Sequence, residues 1–141
     1  MNMTYHNLMF ENQTLFSKMV FSYLMPHALS IGQPKVLEYL SEHDGCMQKD
    51  IAQCCMIEPA SVTSLLTKME KDGLVIRKEL HNNRRNLYVY LTDLGREKAK
   101  YVNEVFSQVE SHALDGLSEE EKRFLLELLA KINGNMKDKN I

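Results

Sequence analysis

Between Pro59 and Leu91 the hydrophobic pattern changes period, and that change limits the possible folds more than any other feature of the chain. Val62, Leu65, Leu66 and Met69 recur at i, i+3, i+4 and i+7, which places them on one face of a helix. Pro59 suits the first turn of that helix, and Asp72-Gly73 ends it, glycine supplying the left-handed conformation. Leu74-Val75-Ile76 follows at once, then the polar run His81-Asn82-Asn83-Arg84-Arg85-Asn86, then Leu87-Tyr88-Val89-Tyr90-Leu91. Two β-rich runs around an Asn-rich turn predict a hairpin. Leu87, Val89 and Leu91 alternate with Tyr88 and Tyr90, as a half-buried strand requires.

Helical segments flank this unit. Leu8, Leu15, Phe16, Met19, Val20, Tyr23 and Leu24 form a first helical stripe, which Pro26 ends. A second helix carries Val36, Leu37, Tyr39 and Leu40 and stops near Asp44-Gly45. Its start has two readings: Ser30 and Gln33 have capping-box spacing, whereas Pro34 suits the first helical position. A short third helix runs from about Gln48 to Cys55 and buries Ile51 and Ala52. After the hairpin, Thr92 caps a helix with the stripe Val102, Val105, Phe106, Val109 and Ala113, and Gly116 breaks it. Ser118-Glu119-Glu120-Glu121 opens a last helix with Leu125, Leu128, Leu129 and Ile132, expected to fray after Gly134. At 141 residues the chain fits one domain, mainly α with a small β-hairpin.

Net charge is only −2, but its distribution is uneven. Residues 1–60 hold three Lys/Arg against six Asp/Glu, residues 61–85 six against three, and residues 86–141 eight against ten. One basic block between acidic flanks is either a surface fluctuation or an electrostatic footprint for a polyanion. The helix within the block offers Ala60, Ser61, Thr63, Ser64, Thr67, Lys68 and Lys71 on the face opposite its apolar residues. Small hydroxyls and lysines suit a helix lying in a major groove, although an ordinary solvated face has the same composition. Arg84 and Arg85 at a polar hairpin tip favour the groove reading, because a guanidinium there can enter a minor groove or pair with phosphate.

Residues from about Leu29 to Gly95 resemble the MarR family of bacterial transcription regulators. The resemblance rests on Leu29-Ser30-Ile31-Gly32-Gln33 with Val36-Leu37, on Gln48-Lys49-Asp50-Ile51-Ala52, and on Ser61-Val62-Thr63 through Asp72-Gly73-Leu74-Val75. Its most specific part is Arg85, Val89, Leu91-Thr92 and Gly95, which keep the spacing of the family's wing signature, Asp-x-Arg, three residues, Val-x-Leu-Thr-x-x-Gly. Asn83 replaces the usual Asp of that signature, and Ser64 stands where arginine is common, so two charge contacts are weakened. The resemblance implies a winged helix-turn-helix lobe over residues 29–95, with residues 1–28 and 96–141 as N- and C-terminal dimerisation helices. It further implies a homodimer on inverted-repeat double-stranded DNA, a repressor released by a small aromatic or amphipathic effector. The DNA contacts it points to are Gln48, Ser61, Thr63, Ser64, Thr67, Lys68, Arg84 and Arg85.

Other chemistries find little support in the residues. No nucleophile-base pair, phosphate loop or paired acid has catalytic context, so an enzyme is not expected. His6, His27, His43, His81 and His112 lack ligand spacing, and neither metal nor cofactor is expected. Cys46, Cys54 and Cys55 are an odd set without a framework spacing, which suits a reducing cytoplasm and buried packing more than redox sensing. Tyr5, His6, Tyr23 and His27 offer walls for an effector pocket, with core and surface roles as the alternative. No run reads as a membrane span. The competing class is a winged-helix protein-interaction module that has lost DNA binding.

Overall fold

A computed structural model describes residues 2–80 and 86–137. Its elements are α1 (Tyr5–Leu24), a 3-10 turn (Met25–His27), α2 (Gln33–Glu42), β1 (Cys46–Met47), α3 (Gln48–Cys54), α4 (Pro59–Lys71), β2 (Val75–Glu79), β3 (Leu87–Leu91), α5 (Asp93–Ala113) and α6 (Glu119–Lys137). The chain divides into two compact units, Met1–Ser107 and Gln108–Ile141.

Within the first unit, three of the four α4 stripe residues are buried as their spacing predicts, and Leu65 is half-buried. Val62, Leu66 and Met69 are inaccessible, packed in a core with Val36, Leu37, Leu40, Ile51, Val75 and Val89. Leu74 and Val75 carry the chain out of α4 into the sheet, and β2 pairs antiparallel with β3 in the register Val75↔Leu91 to Glu79↔Leu87. The sheet has a third strand that the sequence reading omits. β1 pairs with β3 on the other side, Cys46↔Val89 and Met47↔Tyr88, so the order is β1-β3-β2. Two residues are too short for any periodicity to register. They are held instead by the Gly45 N–H donating to the Val89 carbonyl at 2.8 Å and the Leu91 N–H donating to Asp44 Oδ1 at 2.7 Å.

Both readings of the α2 start hold part of the answer. Gly32, at φ 91°, is the N-cap and Pro34 lies in the first turn. Gln33 still reaches back as in a capping box, its Oε1 accepting from the Ser30 N–H at 3.2 Å. Thr92 caps α5 as expected, accepting from the Gly95 N–H at 2.9 Å. In the second unit Ser118 and Glu121 form the reciprocal box that opens α6: Ser118 N–H to Glu121 Oε2 at 2.8 Å, Glu121 N–H to Ser118 Oγ at 3.1 Å. The helix does not stop at Gly134 but continues to Lys137. One glycine costs only about 1 kcal/mol in a helix, too little to end it.

The terminal helices keep apolar surface exposed. Of the α1 stripe only Val20 and Leu24 are buried, while Leu8, Leu15 and Tyr23 face solvent. α6 buries none of its residues, and Phe124, Leu126, Leu128 and Leu129 are exposed.

Gly95 sits against the Leu74 backbone, and a Cβ built there would collide with the Leu74 carbonyl oxygen and crowd Leu91 Cδ2 at 3.2 Å. Backbone cannot swing aside as a side-chain tip can. Gly95→Ala should therefore lower unfolding stability by about 3 kcal/mol in urea titrations, as overpacking does. Gly116→Ala meets open space at φ 84° and should lose only the ~1 kcal/mol of a left-handed alanine. Equal losses at the two positions would contradict the clash.

Candidate nucleic-acid interface

α4 presents the face on which most of the expected contacts lie. Ser61, Thr63, Ser64, Thr67 and Lys68 are all exposed on it, opposite the buried Val62, Leu66 and Met69. Gln48 stands half-buried at the start of α3, and its Nε2 donates to Thr63 Oγ1 at 2.8 Å. The helix-turn-helix thus has a side-chain tie between its two helices on the outer face. Arg84 and Arg85, with Asn83, lie outside the described residues. β2 and β3 lead to them from the paired residues Glu79 and Leu87.

Three hydroxyls on this face, those of Thr63, Ser64 and Thr67, are not free donors. Thr63 Oγ1 donates to the Pro59 carbonyl at 3.2 Å, Ser64 Oγ to the Ala60 carbonyl at 3.4 Å and Thr67 Oγ1 to the Thr63 carbonyl at 2.8 Å. Each bonds one turn back along its own helix, the local alternative open to Ser and Thr inside helices. Thr67 also accepts from Arg77 Nη2 at 3.1 Å.

Arg77, on β2, is the residue that the sequence reading missed. Its Nη2 lies 3.3 Å from Glu70 Oε1, and its backbone N–H donates to Glu70 Oε2 at 3.1 Å. The Arg77 side chain is only 14% exposed, so this pair is partly shielded from solvent. A signal for it exists in the strand pattern: Arg77 lies two residues after Val75 and so shares its inward face. A charge on an inward face needs a partner, and Glu70 on the preceding helix supplies it.

At the other end of α4, Lys68 Nζ pairs with Asp72 Oδ2 at 2.8 Å, and Gln33 Nε2 donates to the same oxygen at 3.4 Å. Gln33 is fully buried and engaged at both ends of its amide, through Ser30 and Asp72, which joins the start of α2 to the end of α4. The Lys68 ammonium, and after it the Gln33 amide, hold the Asp72 carboxyl below the usual carboxylate range.

The cysteines are free thiols. Burial pushes the Cys46 thiol up to about 11 and also raises that of Cys55, so both stay protonated at neutral pH and are weak nucleophiles.

Arg77→Ala removes a charge-assisted bond to Glu70 and the donor to Thr67, and should lower stability by about 1–2 kcal/mol in chemical denaturation. A variant as stable as wild type would mean that the clamp contributes nothing. Asp72 is depressed in the folded state, so its contribution is full above its unfolded value and disappears as pH falls through the folded one. Asp72→Asn should flatten the acid limb of the stability profile below about pH 4; an unchanged limb would exclude the Lys68 pairing in solution.

Comparison with known proteins places this geometry in a family. A family model described as the MarR family matches residues 29–87. The homoprotocatechuate degradative operon repressor of Escherichia coli is 30% identical over 126 residues, covering 83% of this chain and 84% of the repressor. The MepR–DNA complex from S. aureus superposes with a TM-score of 0.88 at 24% identity, over 96% of this chain and 99% of that one. A putative MarR family regulator from Listeria monocytogenes, solved with 26mer DNA, gives 0.86 at 23% identity, over 98% and 91%. With a helix-turn-helix, an adjoining β2–β3 ladder and a relative of this similarity over most of its length, the chain belongs to the MarR family of winged helix-turn-helix transcription regulators.

Proposed function

We propose that this chain works in the cytoplasm as a homodimeric, ligand-responsive repressor that binds an inverted-repeat operator in double-stranded DNA. That it is a DNA-binding transcription regulator follows from its family. The observation that supports the finer reading is α4 itself, a helix with a buried face and an outer face of small residues and lysines, backed by a sheet that leads to Arg84 and Arg85. Gln48, Ser61, Thr63, Ser64, Thr67 and Lys68 form its major-groove surface, and the two arginines reach the minor groove and phosphates.

Dimerisation through residues 1–28 and 96–141 is supported by the exposed apolar residues of α1 and α6, which would find cover in a second copy. An effector site is supported by a cleft of about 330 Å³ between α2, β3 and α5, lined by Leu40, Asp44, Leu91, Arg96, Lys100 and Asn103 among others. Tyr23 and His27 lie elsewhere: the His27 ring stacks on Tyr101 at 3.8 Å, and the Tyr101 hydroxyl donates to the Tyr23 carbonyl at 3.3 Å. Repression is supported by the name of the Escherichia coli relative. Among the described residues no helix is long and apolar enough to cross a membrane.

Light scattering at micromolar protein should give twice the chain mass of 16.3 kDa; a monomer that still bound DNA would remove the dimer from the reading. Fluorescence anisotropy on the chain's own upstream DNA tests the contacts. Arg85→Ala should weaken binding by about 1–3 kcal/mol, more on A·T-flanked sites. Arg84→Ala and Lys68→Ala should each weaken all sequences alike and lower the salt slope by about one. Unchanged affinity in all three would favour a protein-interaction module instead.

A further inference from the structure

The hydrogen bonds on α4 decide which part of each threonine is left for a partner. Thr67 Oγ1 has its proton on the Thr63 carbonyl and a lone pair on the Arg77 guanidinium, at 2.8 and 3.1 Å. Thr63 Oγ1 has its proton on the Pro59 carbonyl and a lone pair on the Gln48 amide, at 3.2 and 2.8 Å. Turning either hydroxyl outward would leave one of these donors unmatched. For Arg77, with only 14% of its side chain exposed, the loss would fall on a charged group with little water to replace the partner. With the Gln48 amide reversed, its oxygen would take the Thr63 proton in place of the Pro59 carbonyl, and the proton would still be held within the protein.

Both residues are nonetheless exposed. With its proton held by a carbonyl, each Oγ1 has no donor left for a base acceptor and keeps one unused lone pair, while the γ-methyl makes no bond within the protein. Ala60, also exposed, lies on the same face at i, i+3 and i+7 with Thr63 and Thr67 and carries only a methyl. In the major groove the partner for a methyl is the C5-methyl of thymine, which distinguishes thymine from every other base. Thr63 and Thr67 are one turn apart, ~6 Å along the helix axis, against ~3.4 Å per base pair.

We propose that Thr63 and Thr67 act as specificity-determining residues that read thymine through methyl contact, with Gln48 and Arg77 as the positioning residues that keep their hydroxyls turned away from the groove. This deepens the DNA-binding reading and rests on it. Sequence preference on this stretch of α4 then comes from apolar contact, whereas Lys68 contributes affinity without reading sequence.

The test pairs a missing methyl on the DNA with a missing methyl on the protein. Wild-type protein first enriches duplexes from a random-sequence library. Each thymine of the enriched duplex is then replaced singly by uracil, which differs only in lacking the methyl, and affinities are read by fluorescence anisotropy. At one or two positions per half-site uracil should weaken wild-type binding about fourfold, the amount expected for one buried methyl. Thr63→Ser and Thr67→Ser keep the hydroxyl ties and lose the methyl, so each should abolish the thymine-uracil difference at its own position. Thr63→Val and Thr67→Val keep a methyl and lose the hydroxyl, and should retain that difference. A sequence-specific wild type indifferent to every uracil would overturn the proposal, and needs no protein variant that might fail to fold. Serine variants that keep the discrimination while valine variants lose it would also overturn it, assigning the reading to the hydroxyls. Failure to enrich any sequence would overturn the DNA-binding reading itself, and this inference with it.

Discussion

One hydroxyl joins the exit of α4 to the entry of α5. Thr92 Oγ1 donates to the Gly73 carbonyl at 2.6 Å and accepts from the Gly95 N–H at 2.9 Å, while the Thr92 backbone N–H donates to the Leu74 carbonyl at 3.1 Å. Two ends that each leave polar groups unmatched, the C-terminus of one helix and the N-terminus of another, thereby satisfy each other. The close approach depends on Gly95, since any Cβ there would occupy the space of the Leu74 carbonyl. Because β2 starts immediately after Leu74 and β3 ends immediately before Thr92, the same junction sets where the β2–β3 ladder stands relative to α4. A regulator that offers a helix and a wing to one DNA site requires that relation to be rigid.

From this junction outward, α4 is tied on each side by a different polar group. Gln48 holds it to α3, Arg77 to β2, and Gln33 through Asp72 to α2. None of these contacts is worth much singly, since surface and half-buried hydrogen bonds contribute about 1 kcal/mol each. Their value is directional. They fix the rotamers of side chains that would otherwise move freely on an exposed face, so the outer surface of α4 has one arrangement before any ligand arrives. Lys68 is part of the same arrangement: its pairing with Asp72 at 2.8 Å keeps the ammonium close to the end of α4.

Much of this was legible in the residues. The α4 face, both β-strands, the Thr92 cap and the Ser118–Glu121 box are local patterns, readable because capping and amphipathic spacing operate within a few residues. β1 was not, since two residues carry no period and depend on Asp44 and Gly45 meeting β3. The polar residues after Gly134 suggest fraying, yet α6 continues through them to Lys137, since polar side chains on a terminal turn do not by themselves end a helix. Arg77 was overlooked for a related reason. A single charge in a short strand looks solvated until the strand's inward face is known, and only the pairing of β2 with β3 establishes which face that is.

Local spacing and composition establish the order of the helices and of the β2–β3 pair, the family and the chemical type of each surface: hydroxyls and lysines on one helix, arginines on one turn, apolar stripes at both ends. These follow from spacing and composition, which are properties of neighbouring residues. Packing settles that the hydroxyls of Thr63 and Thr67 are held from a second side, because their donors Gln48 and Arg77 lie 15 and 10 residues away and on other elements. A threonine is at once a donor, an acceptor and a methyl. Which of these it offers depends on the bonds already made by its oxygen: the bond one turn back forms within α4, and those from Gln48 and Arg77 exist only after the helices and sheet have packed.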